Sequence, residues 1–176
     1  MFSDPEKNIE QLSLGPGNSV ADFGAGSGAY SFAAAEVVGT NGKVYAIDVQ
    51  KALLEKLKNE AKNVRHLMNL EIVWADIEKL GGTHLRDASM DVVIAANIFF
   101  QLEDKNTPCM EMRRILKPGG RALVVDWAGS FGNMGPTQES VLTEPEAKKL
   151  FEKQGFEVDR EISAGAQHYG IIFRKK

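Results

Sequence analysis

The sequence predicts an α/β fold, a mostly parallel sheet with helices on both faces, and three observations carry the prediction. Short apolar, β-branched runs alternate with helical patterns along the chain, the order expected of parallel strands joined by helices. Asp91 to Ala95 contains the continuous run Val92, Val93, Ile94, typical of a strand buried on both faces. The last two strand-like runs are joined by a short glycine-containing loop, so they pair antiparallel, and one reversed strand stands at the end of the sheet.

The elements follow in order. Ser19 to Phe23 is the first strand, and Gly24, Gly26 and Gly28 turn it sharply into a helix over Ala29 to Val38 that Gly39 stops. Three glycines in five positions tolerate positive φ and leave the main chain open to a ligand. Asn41-Gly42 leads into a second strand, Lys43 to Ile47. Leu53, Leu54, Leu57 and Ala61 lie at helical spacing, giving an amphipathic helix over Lys51 to Lys62, and Leu70 to Trp74 is the third strand. After the fourth strand, Pro108 suits the first turn of a helix that Thr107 caps, and Pro118-Gly119-Gly120 ends that unit. Arg121 to Asp126 is the fifth strand. Thr143 and Glu146 form a capping-box pattern for a helix reaching Gln154, with Gly155 as its stop. Phe156 to Ile162 and Tyr169 to Arg174 are the final pair.

Composition narrows the function. At 176 residues and 43% hydrophobic content, the chain supports one domain with one good core. A net charge of −3 supplies no global field for nucleic acid. The basic cluster Lys51, Lys56, Lys58, Lys62 and Arg65 recurs at the polar positions of a helix, a solvated face. Cys109 is the only cysteine, which excludes an internal disulfide and a cysteine-rich metal site, so no metal is expected and a reducing cytoplasm is the default. No stretch approaches the ~20 apolar residues that span a bilayer.

Three acids stand at or just past the ends of the first three strands: Asp22, Asp48 and Asp76. In open α/β sheets that edge binds ligands. Asp48 lies 20 residues after Gly28, the spacing at which a carboxylate takes a ribose diol. Asp76, with the Ile77 backbone beside it, suits an exocyclic adenine amine, and Asp22 suits an ammonium or sulfonium. Asp48 and Asp76 also read as helix caps, and one residue can serve both purposes. Between Asp22 and Val38 there is no Lys or Arg, which favours a phosphate-free or cationic ligand. Gly24 to Ala29 nonetheless satisfies a dinucleotide fingerprint, which keeps an NAD-dependent oxidoreductase as an alternative. His66 and His84 read as surface residues. Phe99, Phe100 and Gln101, and Trp127 with Phe131 and Met134, read equally well as substrate contacts or as core.

In Asp22-Phe23-Gly24-Ala25-Gly26-Ser27-Gly28, Ala46-Ile47-Asp48, Ala75-Asp76-Ile77, Asp91 to Asn97 and Leu116-Lys117-Pro118-Gly119-Gly120, the sequence resembles the class I S-adenosylmethionine-dependent methyltransferases over most of its length. Leu116 to Gly120 and the helix over Thr143 to Phe156 are most similar to the ubiquinone and menaquinone biosynthesis type. The resemblance implies a Rossmann-like three-layer αβα sandwich whose seven strands run in the order 3-2-1-4-5-7-6, with strand 7 antiparallel. It implies S-adenosyl-L-methionine as cofactor, held by Asp22, Gly24, Ala25, Gly26 and Gly28 at the methionine portion. Asp48 and Val49 would take the ribose, Asp76 and Ile77 the adenine, and Asn97 would sit near the methyl. In the implied order His168, opening the reversed strand, neighbours Asp126 at the end of the fifth, so the two are candidates for base and orienter.

The expected reaction is in-line methyl transfer to a small-molecule oxygen, nitrogen or carbon nucleophile, with Phe99, Phe100, Gln101 and Trp127 as candidate substrate contacts. A non-catalytic S-adenosylmethionine-binding subunit is the alternative from another class. Only 18 residues precede the first strand, fewer than the two helices many relatives use as a lid, so the substrate side is expected to be open, or closed by a homodimer or partner subunit.

Overall fold

The computed structural model describes residues 3–132 and 134–176. Seven strands form one sheet: β1 (Ser19–Phe23), β2 (Lys43–Asp48), β3 (Leu70–Trp74), β4 (Met90–Ala96), β5 (Leu116–Trp127), β6 (Phe156–Ile162) and β7 (His168–Lys175). Their order is β3-β2-β1-β4-β5-β7-β6, parallel from β3 to β5, with β7 antiparallel to both neighbours. The strand order is the one the family resemblance implied, and the reversed strand is the one the final hairpin predicted.

The helices are α1 (Pro5–Gln11), α2 (Ala29–Val38), α3 (Lys51–Asn63), α4 (Asn106–Ile115) and α5 (Glu144–Lys153), with a 3₁₀ turn at Phe99–Gln101. Alternation along each strand sends side chains to opposite faces. On one face Val20, Val92, Ile94, Leu123 and Val125 bury against Ile9 of α1 and Tyr30, Ala34 and Val38 of α2. Leu57 and Ala61 of α3 close on Phe32 and Ala46 beside them. On the other face Val93, Val124, Ile171 and Phe173 bury against Met112 of α4 and Phe151 of α5. Phe151 stacks on Phe173 at 4.3 Å between ring centroids and meets Phe99 edge-on at 5.7 Å.

Three features differ from the sequence reading. α1 was not anticipated, although Asp4 caps it by accepting from the Lys7 N–H and Pro5 opens it. Its seven residues carry too few apolar positions for periodicity to register, and burial of Ile9 against the sheet holds it instead. α4 begins at Asn106, so Thr107 lies inside it rather than capping it, and the Asp104 carboxylate receives the Asn106 N–H at 2.8 Å. Pro118-Gly119-Gly120 falls within β5: Met90 pairs with Leu116, the register shifts, and pairing resumes at Val92 with Arg121. The Thr143–Glu146 capping box is present as read.

A buried polar knot fixes the segment between β3 and β4. The fully buried Glu111 carboxylate accepts from Gly81 N at 2.7 Å, from the Thr83 hydroxyl at 2.5 Å and from Arg114 at 2.7 Å. Burial pushes this carboxyl up, but the donors from Arg114, Thr83 and Gly81 together outweigh it and hold it down at about 2. Removing the carboxylate strands several buried donors at once. Glu111→Ala is therefore expected to lower unfolding free energy by about 3 kcal/mol in urea titration at pH 7. Because the folded value lies below the unfolded one, the difference should be full above about pH 4.5 and shrink as pH falls towards 2.

Candidate active site

The turn after β1 is set by a carbonyl at the end of β2. Ile47 O accepts from both Gly24 N and Ala25 N at 2.9 Å, folding the glycine segment across the sheet edge. Gly24 has φ +70°, and a Cβ there would stand 2.6 Å from Ile98 Cδ1, so any other residue would be strained and would displace the Ile98 side chain. The Asp48 carboxylate bridges the next step: Oδ2 accepts from Gly26 N at 3.0 Å and Oδ1 from Gln50 N at 2.8 Å. Asp48 thus shapes the glycine turn and the start of α3, and it still lines the adjoining cleft.

Two clefts flank the turn and share Gly24, Gly26 and Gln101. The first, about 350 Å³, is lined by Asp48, Val49, Ala75, Asp76 and Ile77, with Leu53 and Ile98 as apolar walls. The second, about 340 Å³, is lined by Asp22, Ala25, Ser27, Tyr30 and Asn97, with Ser3 and Pro5 from the amino-terminal segment. The cofactor residues named from the sequence therefore gather around one trough, except Gly28, which caps α2 at φ +87° against Leu57. Asp76 accepts from Glu78 N at 2.9 Å and meets the exposed Lys79 at 3.3 Å. No helix follows it, so it is not a helix cap.

Asp22 is 2% exposed, and its Oδ2 accepts the Ser31 hydroxyl at 2.6 Å. Burial pushes its carboxyl up, the Ser31 hydroxyl and N–H offset part of that, and the result is about 6. Among the described residues no Lys or Arg lines either cleft. A cationic ligand would relieve that charge, whereas a pyrophosphate would meet acids and no cation on the lining. Asn97 adopts φ +56°, a conformation Asn tolerates, and its buried Oδ1 has no hydrogen-bond partner among the described residues. An acceptor left open at the second cleft suits an amine or hydroxyl of a bound molecule.

The substrate-side calls divide. Gln101 is exposed at the trough, with Nε2 donating to Asn97 O at 2.9 Å. Phe99 is 1% exposed in the α4–α5 core, so it contacts no substrate in this arrangement. Phe100 is half-buried. Trp127 is half-buried and packs on His168 at 4.5 Å between centroids, with Phe131 at 6.4 Å.

The base-and-orienter pair does not form. Trp127 pairs with His168 and Asp126 with Tyr169, so His168 and Asp126 project from opposite faces of the sheet. Asp126 instead accepts from Phe99 N at 2.9 Å and Trp127 N at 2.8 Å, fixing the 3₁₀ turn. His168 is 8% exposed, and neither ring nitrogen has a partner among the described residues. Burial lowers its pKa, so it is neutral at pH 7.

Sequence reasoning missed two contributors. Ser31 was hidden because only the structure shows that the third residue of α2 faces Asp22. The segment through Ser3 and α1 was read as a missing lid, yet Ser3 and Asn8 bond to the Tyr30 hydroxyl and place Ser3 and Pro5 at the trough. The Asp4-Pro5 pair was the available signal for it.

The fold is that of the class I S-adenosylmethionine-dependent methyltransferases. Residues 14–170 match a sequence family described as a methyltransferase domain. A solved S-adenosylmethionine-dependent methyltransferase from Aquifex aeolicus shares 30% identity and superposes with a TM-score of 0.89, over 99% of this chain and 91% of its own. A structure described as a putative type 11 methyltransferase from Sulfolobus solfataricus is 26% identical, with a TM-score of 0.74 over 100% of this chain and 95% of its own. A ubiquinone/menaquinone biosynthesis C-methyltransferase of Hahella chejuensis is 32% identical over 120 residues, 68% of this chain and 47% of that protein. The chain belongs to this methyltransferase family, and it spans about half the length of the curated quinone-pathway relatives it matches.

S-adenosyl-L-methionine is the cofactor this membership implies, and the residues present fit it: two acid-lined clefts, a glycine turn held at positive φ, and an Asn97 acceptor without a partner among the described residues. Asp22 creates a tension that can be measured. Its folded pKa, about 6, lies above the ordinary aspartate value of 3.8, so its ionisation opposes folding increasingly as pH rises from about 3.8 to about 6, and fully above that. Asp22→Asn should raise the melting temperature of the ligand-free protein by a few degrees at pH 7.5. The gain should shrink below pH 6 and vanish below about pH 3, where the carboxyl is protonated in both states. The same variant should bind S-adenosylmethionine at least about tenfold more weakly by calorimetry.

Proposed function

We propose that this chain methylates a small aromatic acceptor of the phenol or quinol type, using S-adenosylmethionine. The observation that carries the acceptor class is His168, a buried neutral imidazole with neither nitrogen partnered among the described residues, packed against Trp127 where β5 ends and β7 begins. Trp127 shares its sheet face, and β4, whose end leads into Asn97, lies two strand spacings away, about 10 Å. A flat acceptor would occupy that interval once Trp127 swings aside, since the ring nitrogens are covered in this arrangement. The quinone-pathway name of the 32% identical relative supports the same class.

When bound, the cofactor supplies an electrophilic methyl on a sulfonium. Asp48 would hold the ribose hydroxyls, Asp76 and Ile77 the adenine edge, and Asp22 with Asn97 the cationic methionine portion. Holding nucleophile, methyl and sulfur in line accounts for about 7 to 11 kcal/mol of barrier lowering, so no strong base is needed. His168 would take the acceptor's hydroxyl proton, while the methyl's bond to sulfur gives way to its bond to the acceptor and S-adenosylhomocysteine leaves. Its lowered pKa keeps it a base at pH values below those at which an ordinary histidine protonates.

The test is release of S-adenosylhomocysteine from a panel holding a reduced benzoquinol, a naphthoquinol, a catechol, an amine and a peptide. Turnover is expected with the phenolic members. His168→Gln should lower kcat by about 100-fold with unchanged affinity for S-adenosylmethionine. Asp48→Ala should do the reverse, weakening cofactor binding at least about tenfold. Turnover confined to the amine or peptide would overturn the acceptor class, and silence with every acceptor despite tight cofactor binding would point to a non-catalytic subunit.

A further inference from the structure

A separate concavity of about 720 Å³ lies at the opposite edge of the sheet, where α4 and α5 end and β7 finishes. Its lining carries four cations, Arg113, Arg114, Lys153 and Lys175, and a single acid, Asp87. The lining is thus strongly positive in a chain whose overall charge is −3. Arg114 is occupied by Glu111 and Asp87. Arg113, Lys153 and Lys175 have no carboxylate partner among the described residues.

We infer that this concavity binds a small organic ligand bearing two or more phosphoryl groups. Like charges gathered without counter-charge repel, and the repulsion persists unless an anion relieves it. It registers on Lys175, whose ammonium is pushed down by burial and by the neighbouring Arg113, although its Nζ donates to Leu116 O at 2.6 Å. The carboxyl-terminal ends of α4 and α5 account for part of the arrangement, since each helix end carries about half a negative charge. Two such half charges do not balance three unpaired cations. Arg113 supplies a planar fork suited to phosphoryl oxygens, and Lys153 and Lys175 supply point charges around it. Leu80 and Met110, 57% and 41% exposed on the same lining, offer apolar surface for the organic part of the ligand. The acid-lined trough at the other edge repels the same ligand, so the two sites take different molecules.

The probe is inorganic pyrophosphate, with orthophosphate as the weaker comparison, followed by calorimetry and thermal shift on the full chain. Pyrophosphate should bind saturably, more tightly than orthophosphate, and lose affinity as sodium chloride is raised. Arg113→Gln and Lys153→Glu alter exposed side chains, so both variants should fold, keep their affinity for S-adenosylmethionine, and bind pyrophosphate at least about tenfold more weakly. Pyrophosphate binding that is absent, or equal in wild type and both variants, overturns the inference. The comparison does not depend on any methyl-transfer activity.

Discussion

Main-chain N–H groups hold Asp48, Asp76 and Asp126 in place at the functional edge of the sheet, and the exposed Lys79 beside Asp76 is the basic side chain that joins them. Asp48 receives Gly26 N and Gln50 N, Asp76 receives Glu78 N, and Asp126 receives Phe99 N and Trp127 N. Each bond ties a strand end to the turn that follows or adjoins it, so the acids build the loops as well as offering oxygens to a ligand. A lysine or arginine in the same places would neutralise the trough. Backbone donors satisfy the oxygens and leave the site acidic.

Asp22 and Asp126 show how one chemical device serves two ends. Burial pushes both carboxyls up to about 6, yet they face opposite sides of the sheet. Asp126 sits above the α4–α5 core, where its two backbone donors fix the 3₁₀ turn that presents Gln101 to the trough. Asp22 opens on the α1–α2 side, held by Ser31 alone among side chains, and lines the cleft itself. The first carboxylate positions a loop. The second carries an unbalanced charge where a cationic ligand is expected, a trade of stability for affinity of the kind common at binding sites.

Most of the fold was legible because its signals are local. Strand bounds, the glycine turn, the Thr143–Glu146 box and the final hairpin each rest on spacing that one segment specifies alone. The cofactor-side acids were legible for the same reason, since a residue at a strand end is placed by the strand. The acceptor side was not, because its geometry depends on which face a residue takes and what packs beside it. Phe99 looked like a substrate contact until Phe151 covered it, and His168 looked paired with Asp126 until the alternation of β7 put them on opposite faces. α1 escaped because tertiary burial of Ile9, not periodicity, makes it a helix.

The same topology explains why charge segregates between the two edges. With parallel strands joined by helices, helix N-termini gather at the carboxyl edge and helix C-termini at the other, giving each edge a partial charge of fixed sign. The start of α2 donates to Asp22 and the start of α3 to Asp48, so acids are tolerated there. The ends of α4 and α5 favour Arg113 and Lys153 for the complementary reason. Helix ends alone predict a modest excess at either edge. What exceeds that expectation is an acidic trough without a lining cation on one side and three unpaired cations around one concavity on the other. The dipoles set the sign of each edge, and the surplus beyond them is what a ligand of opposite charge would neutralise.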